Sequence, residues 1–442
     1  MKKIILAFAA AMLASLMISA PAVLRADDPK PKQPKITDTS MEVYYPAGPV
    51  MARGEIKKVD GKAVKHGAWT GFYDTGEKQK EGSYKEDKMD GPWTMYHKNG
   101  NISTKMVYQE GKLNGLMESF YESGAKKAEE TYALDKRDGK KTTFYEDGKV
   151  QSECTYAGGK KLGLEKTYYP DSALKSDTTY TYDKKQGVAK TFHKDGTTIN
   201  VFATYDNGSL KGPWFTNYPN GTRKMQGQYI PAPKVEETEK KLGDDKVLEG
   251  HRTGKWTFFH DNGNKAQEGM YANNNREGKW KMYAKEGHLS SEGSFAKDSQ
   301  TGIWNYYTDK GGLEKKLTLS GEFPSGKGWI YEEGKLVFEG DLTGQPTNLM
   351  KNGPGKEYHP TGKVKSEGEF MMNRKNGPFR EYHPNGKLMA EGKYINDKRN
   401  DLWNFYKEDG VTKDEEKSGY YMMGNINKSF TPGKFEFKPS FK

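Results

Sequence analysis

Histidine is the first residue type in this sequence that could carry out chemistry, because its imidazole is a common metal ligand. Five of the eight histidines occupy one position of a repeated pattern: His97, His193, His260, His359 and His383. Other copies of the pattern hold tyrosine at this position: Tyr73, Tyr121, Tyr145, Tyr169 and Tyr218. A position that accepts either side chain is typical of packing or of surface decoration. The sequence therefore predicts no metal site and no cofactor.

Glutamate also recurs at one repeat position, at Glu81, Glu153, Glu268, Glu292, Glu367 and Glu391. Paired carboxylates can hydrolyse glycosidic bonds, but a column present in many copies is more typical of a solvated strand face. The sequence has no nucleophile elbow, no P-loop and no zinc-ligand spacing. Cys154, the single cysteine, lies in a strand-like context and is expected to be a small buried residue. We therefore predict that the protein is not an enzyme.

Lysine forms a third column, three residues before successive glycines of the pattern: Lys88, Lys112, Lys136, Lys160 and Lys184. Such lysines can be ordinary solvated turn residues. They can also form a basic edge that binds acidic glycans, phospholipid head groups or an acidic protein. In stacked hairpins they would lie about 10 Å apart. Nucleic acid is not an expected partner, because the chain has only +11 net charge over 442 residues and an expected export signal.

These columns belong to a 24-residue repeat, which is clearest from Gly254 to Gly278. In this unit an aromatic residue stands five positions after the first glycine, further glycines at nine and fifteen, and Tyr at seventeen, and the other units are closer or more distant copies. The first glycines are Gly67, Gly91, Gly115, Gly139, Gly163, Gly187, Gly212, Gly254, Gly278, Gly302, Gly353 and Gly377. Tryptophan stands two positions after the first glycine, or after Asp401 in the last unit, at Trp69, Trp93, Trp256, Trp280, Trp304 and Trp403. We expect these rings to form a structural seam between strands; the alternative is an exposed surface that stacks on sugars.

Turn residues indicate how each unit folds. Asn-Gly or Asp-Gly pairs between short, aromatic, β-prone segments predict hairpin turns in which both turn residues have a positive φ. Such pairs stand at Asn99-Gly100, Asp147-Gly148, Asn220-Gly221, Asn262-Gly263 and Asn385-Gly386. The predicted fold class is all-β: an elongated array of β-hairpins that form one continuous twisted antiparallel ribbon.

The ends of the chain and one interruption complete the domain organisation. Lys2 and Lys3 precede an apolar run, which predicts a signal peptide over residues 1–26, cleaved after Ala22 or Ala26. An uncleaved N-terminal anchor is the alternative. The remaining segments are a Pro/Lys-rich linker (27–38), two halves of the repeat array (39–230 and 250–421), a charged insert (231–249) and a C-terminal cap or tail (422–442). The expected location is the periplasm, the cell envelope or the extracellular space, with no transmembrane span after cleavage.

The repeated residues resemble the MORN repeat (membrane occupation and recognition nexus) in its bacterial variant. The resemblance rests on segments such as EGSYKEDKMDGPWTMYHKNG (Glu81–Gly100) and EGKYINDKRNDLWNFYKEDG (Glu391–Gly410). It implies a non-catalytic scaffold that binds a protein or membrane partner. A carbohydrate-binding wall module is the alternative. An antitoxin-like partner binder is a second alternative, because bacterial relatives carry that label, but the label implies a cytoplasmic role that a signal peptide contradicts.

Overall fold

The computed structural model describes residues 32–46, 48–231, 250–321 and 323–428. The predicted signal peptide, the insert beyond Pro231 and residues 429–442 lie outside the described part. The described residues are all-β, with 33 strands in open antiparallel sheet and no helix. The predicted fold class is therefore confirmed. None of the described residues belongs to a helix that is long and apolar enough to cross a bilayer.

The chain divides into two compact units. The first comprises the described residues up to Ala173 together with Tyr180–Asp183; the second comprises Leu174–Thr179 and the described residues from Lys184 onward. The predicted division at the insert stays a prediction.

The first unit contains β1 (Lys35–Ile36), β2 (Ser40–Tyr44), β3 (Val50–Val59), β4 (Lys62–Phe72), β5 (Lys78–Lys85), β6 (Lys88–Tyr96), β7 (Ile102–Gln109), β8 (Lys112–Leu113), β9 (Gly115–Phe120), β10 (Lys126–Ala133), β11 (Lys136–Phe144), β12 (Val150–Ala157) and β13 (Lys160–Tyr168). Strand β14 (Leu174–Thr181) includes residues of both units. Strand β1 lies within the predicted linker and pairs with β2, which follows it.

The second unit continues with β15 (Lys184–Phe192), β16 (Ile199–Asp206), β17 (Ser209–Asn217), β18 (Arg223–Ile230), β19 (His251–Phe259), β20 (Lys265–Ala272), β21 (Asn275–Tyr283), β22 (Leu289–Ala296), β23 (Ser299–Tyr307), β24 (Leu313–Ser320) and β25 (Phe323–Glu332). It ends with β26 (Lys335–Gln345), β27 (Asn348–Tyr358), β28 (Val364–Met371), β29 (Arg374–Tyr382), β30 (Leu388–Ile395), β31 (Lys398–Phe405), β32 (Gly419–Met422) and β33 (Asn425–Asn427).

Each repeat is a hairpin whose second strand pairs with the first strand of the next repeat. In the hairpin of β21 and β22, Gly278 pairs with Phe295 and Trp280 with Gly293. Strand β22 then pairs with β23, and its register shifts between Glu292 and Ser294. The shift is a bulge in β23, where Gly302, Ile303 and Trp304 lie between paired residues and face only Gly293 of β22.

The five hairpin turns lie at the predicted Asn-Gly and Asp-Gly pairs, but their backbone differs from the expectation. Only the glycine has a positive φ, as at Gly100 (φ 86), and Asn99 does not. The Gly100 amide donates to the His97 carbonyl at 3.0 Å, and the His97 amide donates to the Asn101 carbonyl at 2.8 Å. This pattern fits a longer loop, a type I turn followed by a left-handed glycine, in which one positive φ suffices.

Turns with two positive φ angles occur instead between successive hairpins, where the sequence has no uniform Asn-Gly signature. Examples are Glu86-Asp87 (φ 54 and 64) and Asn396-Asp397 (φ 47 and 63). We call these connections the inter-repeat turns. Each is followed directly by the first strand of the next hairpin.

The core of each unit is a narrow seam on one side of its strands. In the second unit a single cluster of buried residues includes Trp256, Trp280, Trp304, Phe379 and Trp403. In the first unit the cluster is smaller and contains Ile56, Trp69, Trp93 and Met106. A thin sheet can therefore bury its aromatic residues only where they stack from repeat to repeat.

Candidate binding surface

The six repeat tryptophans lie in the interior. Their exposed fractions are 4% or less, and Trp256 and Trp403 are fully buried. Each ring lies over the glycine of the neighbouring strand; a Cβ added to Gly293 would lie 2.2 Å from the Trp304 ring. Rings enclosed in this way offer no open face on which a sugar could stack.

Aromatic neighbours and backbone carbonyls hold these rings. Tyr271, Trp280, Phe295 and Trp304 form a series of edge-to-face contacts with centroid distances of 5.3, 5.9 and 5.2 Å. The indole N–H of Trp280 donates to the Met270 carbonyl at 3.1 Å. The other tryptophans donate similarly, except Trp256, whose N–H has no partner among the described residues. This geometry satisfies the polar edge of the indole while its apolar body is buried.

The five candidate lysines begin strands directly after inter-repeat turns, and all five are exposed. Lys88, Lys112, Lys136 and Lys160 belong to the first unit, and Lys184 belongs to the second. None forms an ion pair within the described part of the chain. The turns that precede four of them carry a carboxylate: Asp87, Glu110, Asp135 and Asp183. The edge therefore carries both signs of charge, and no described residue occupies the lysine ammonium groups.

A second cationic column, one residue further along, was missed by the sequence analysis. These side chains lie over the aromatic seam: Lys65, Arg137, Lys161, Lys185, Arg252, Arg276, Lys351, Lys375 and Arg399. The Arg276 guanidinium lies 3.9 Å from the centroid of the Phe295 ring. Burial lowers the pKa of Lys65, and the charge of Asp87 opposes that shift. Strand alternation could have separated this inward column from the outward lysines.

An Asp or Asn in each of several inter-repeat turns fastens one repeat to the preceding one. The Oδ1 atom of Asp87 accepts a hydrogen bond from the Lys65 amide at 2.8 Å, and the Asp87 amide donates to the Lys65 carbonyl at 2.9 Å. The same side-chain contact is made by Asp135, Asp183, Asn274, Asp298, Asn373 and Asp397. The turns are thus held rigidly in register with their neighbours.

The position shared by histidine and tyrosine makes a further contact between repeats. The Tyr73 hydroxyl donates to the Tyr96 carbonyl at 2.7 Å, and His260 Nε2 lies 3.1 Å from the Tyr283 carbonyl. The equivalent bonds are made by His97, Tyr121, Tyr145, His193, Tyr218, His359 and His383. Both side chains reach the same acceptor, which explains why they interchange. Within the described ranges, no group of His, Cys, Asp or Glu side chains could hold a metal ion.

The glutamate column binds tyrosine and lysine side chains. The Tyr283 hydroxyl donates to Glu268 at 2.9 Å, and Lys255 pairs with the same carboxylate at 2.8 Å. Lys255, then Tyr283 and Lys265, lower the pKa of Glu268 to about 2 against the opposing effect of burial. Glu81, Glu153, Glu292, Glu367 and Glu391 also accept a tyrosine hydroxyl. A carboxylate stabilised in its charged form is poorly suited to act as a general acid.

The family model of the MORN repeat variant matches eight segments of the chain: residues 65–86, 89–110, 113–133, 137–157, 252–273, 276–297, 351–371 and 375–396. The chain is a MORN-repeat protein. MORN repeats form a repeat-based binding module, and the family is generally non-catalytic. Each matched segment of this MORN-repeat protein contains one hairpin turn, such as Asn99-Gly100 in residues 89–110, and ends no later than the first residue of the next inter-repeat turn.

Two further comparisons add little to the MORN assignment. No curated protein sequence matches the chain. A crystal structure of TcdB2-TccC3-Cdc42 aligns with 84% of the chain at 12% identity, with a TM-score of 0.14. A Tc holotoxin pore from Photorhabdus luminescens aligns with 84% at 11% identity, with a TM-score of 0.16. The chain spans 21% and 20% of those two chains, and TM-scores this low carry no argument.

Proposed function

We propose that this MORN-repeat protein is an exported, non-catalytic scaffold that binds a protein or membrane partner in the cell envelope. The observation that carries the proposal is the edge of inter-repeat turns. It repeats with each hairpin, hydrogen bonds hold it in register, and it presents exposed lysines that form no ion pair with any described residue. A surface that is already ordered loses little conformational entropy on binding.

The predicted export and the basic edge both favour an anionic partner. The apolar run after Lys2 and Lys3 is typical of a signal peptide. An exported chain meets anionic lipid head groups and anionic polymers, and exposed ammonium groups attract both. Lys88, Lys112, Lys136 and Lys160 follow one another at 24-residue intervals within the first unit. Charges spaced by about 10 Å, close to one Debye length, act jointly on such a polyanion.

The burial of the tryptophan rings favours the scaffold over a carbohydrate-binding module, because the strongest candidate stacking residues are enclosed. An antitoxin-like role requires a cytoplasmic protein. Cell fractionation of the full chain separates these two cases: the scaffold proposal expects the protein in the envelope or outside the cell. Recovery from the cytoplasm alone would contradict the proposal and favour the antitoxin-like role.

Vesicle binding tests the membrane form of the proposal. The full chain is mixed with phosphatidylcholine vesicles that either contain or lack phosphatidylglycerol. One variant reverses the charge of Lys88, Lys112 and Lys136 to Glu. A basic residue near an anionic bilayer contributes about 1 kcal/mol, so we expect a loss of affinity of roughly a hundredfold for the anionic vesicles.

The matched control reverses three other exposed lysines that lie outside the inter-repeat turns and lack ion pairs in the described part of the chain, Lys279, Lys281 and Lys310. It has the same net charge as the test variant. Equal losses in the two variants would show that only net charge matters and would contradict a role for the lysine edge. High salt should weaken binding of the wild-type protein, because the interaction is between exposed charges.

A further inference from the structure

Three inter-repeat turns present the same triplet: an apolar residue, then Asp or Asn, then a basic residue. The triplets are Leu134-Asp135-Lys136, Tyr182-Asp183-Lys184 and Met372-Asn373-Arg374. Their apolar side chains have exposed fractions of 58%, 57% and 54%. Isolated exposed apolar residues are common, but here they recur in one local setting, each two residues before an exposed cation.

The backbone makes these apolar residues more unusual. Leu134, Tyr182 and Met372 have φ angles of 48, 49 and 49. This left-handed region favours glycine, asparagine and aspartate over bulky side chains. The equivalent position holds Asn in other turns of the same chain, at Asn273 and Asn396. Backbone strain at an exposed position with no compensating burial indicates a role other than stability.

The middle residue of each triplet fixes the other two in place. The side chains of Asp135, Asp183 and Asn373 each accept a hydrogen bond of 2.8 Å from an amide of the preceding repeat. Their own amides donate to the carbonyl of the same residue at 2.9, 3.1 and 2.9 Å. The apolar and basic side chains therefore project from a fixed backbone, which lowers the entropy cost of contact with a partner.

Building on the proposed binding role, we propose that each triplet is a docking point for a protein partner that has an apolar pocket with a carboxylate at its rim. Leu134, Tyr182 or Met372 enters the pocket. The neighbouring Lys136, Lys184 or Arg374, which has no ion pair within the described residues, pairs with the carboxylate. A protein is the expected occupant rather than a bilayer, because each triplet presents one apolar side chain and one cation from an ordered backbone, which a pocket with one carboxylate can match and a fluid bilayer cannot.

Site-specific photocrosslinking in the producing cells tests this proposal with the full chain. A photoreactive amino acid replaces Leu134, Tyr182 or Met372, one at a time. Two controls receive the same group: Asn396, whose turn continues with Asp397 and Lys398 and differs only in lacking the apolar side chain, and Val411, which is 80% exposed. We expect one protein species to crosslink from the three test positions, several-fold more strongly than from either control.

Equal crosslinking from Asn396 or Val411, adducts with lipid alone, or no adduct would each overturn the proposal.

The partner protein that crosslinking identifies is then purified and titrated with the Leu134→Asn, Tyr182→Asn and Met372→Asn variants. These variants reproduce the Asn396 turn, so we expect an unchanged or higher melting temperature and at least a tenfold loss of affinity. Unchanged affinity, or a lower melting temperature, would overturn it. If the partner that crosslinks is a cytoplasmic protein, the proposal of export is contradicted, but the proposal of docking points is not.

Discussion

Two segments with the same strand pattern bury different side chains. In the second unit, β20–β23 place Trp280 between Gly269 and Gly293, with Tyr271 and Phe295 against the ring. In the first unit, the equivalent position in β10–β12 is Lys141, which pairs with Glu130 on one side and with Cys154 on the other. Both segments form antiparallel hairpins. The strand pattern therefore does not depend on the aromatic seam.

The difference shows that the residues of the seam vary together. A tryptophan ring requires a glycine opposite it, since a Cβ at Gly269 would lie 2.2 Å from the Trp280 ring. Where glycine is replaced by Glu130, the opposite residue is Lys141, and the two form an ion pair of 3.1 Å. Buried ion pairs stabilise a fold less than close apolar packing does. We therefore expect β10–β13 to be less stable locally than β20–β23.

The largest expected effect comes from Trp280→Ala. The ring is 1% exposed and donates its N–H to a backbone carbonyl, so its loss leaves a large cavity. We expect a loss of about 3–5 kcal/mol in the free energy of unfolding, measured by urea denaturation. Met117→Ala is the control, at an equivalent position of the first unit two residues after Gly115, and should cost less than half as much. Equal costs would contradict the proposed difference between the two seams.

Gly293→Ala tests the close approach between glycine and ring. The new methyl group would lie 2.2 Å from the Trp304 ring, so the ring or the strand must move. We expect a loss of about 1–3 kcal/mol, as for other overpacked sites. Ser294→Ala, one residue further along, should change the stability by less than about 0.5 kcal/mol. A stable Gly293→Ala protein would show that the seam has room for a methyl group.

Glu130 gives the first unit a dependence on pH. Burial alone would raise the pKa of Glu130, but hydrogen bonds and charges of Arg137 and Lys141 hold it below its ordinary value. The stabilising contribution is fully present above the unfolded pKa of about 4.3 and is lost as pH falls through the lower folded value. We expect Glu130→Gln to cost about 1 kcal/mol at neutral pH, because the cations are partly exposed.

The measurement for Glu130→Gln is urea denaturation from pH 7 down to pH 3. The variant should lose less stability than the wild-type protein over this range, since the titrating group is gone. Parallel pH profiles for the two proteins would exclude Glu130 as the source of acid sensitivity.

The smallest effect concerns the histidine and tyrosine column. His260→Tyr should preserve the hydrogen bond to the Tyr283 carbonyl and change the stability by less than about 0.5 kcal/mol. His260→Ala removes the bond and should cost about 1 kcal/mol. A destabilising tyrosine at this position would contradict the equivalence of the two side chains. Thermal unfolding followed by circular dichroism is sufficient to separate the two variants.

Much of the fold followed from the sequence, because the repeat is regular and its turns are chemically distinctive. The Asn99-Gly100 pair correctly predicted the position of a hairpin turn, although the loop has one residue with a positive φ rather than two. The inter-repeat turns were harder to interpret, because Glu86, Leu134 and Met372 are not typical left-handed residues. Their φ angles are set by hydrogen bonds that the side chains of Asp87, Asp135 and Asn373 accept from amides 22 residues earlier, and local propensity does not contain that information.

The candidate surface was harder to predict than the fold. The 24-residue spacing revealed the lysine column. It did not distinguish the exposed lysines from the neighbouring cations that face the seam, such as Arg276. Their role depends on which face of the strand is buried, and for Arg276 a bulge in β21 between Glu277 and Trp280 shifts that alternation. The His260 contact was equally hidden, since its partner is a backbone carbonyl that carries no sequence signal.

Hydrogen–deuterium exchange, resolved by peptide mass spectrometry on the full chain under native conditions, tests the comparison between the two seams most directly. Both segments are measured in the same molecule and at the same time, so protein concentration and solvent cannot account for a difference. We predict slower amide exchange in β20–β23, where Trp280 and Trp304 fill the seam, than in β10–β13, where Lys141 and Glu165 stand at the equivalent positions. Equal exchange in the two segments, or slower exchange in β10–β13, would contradict the account.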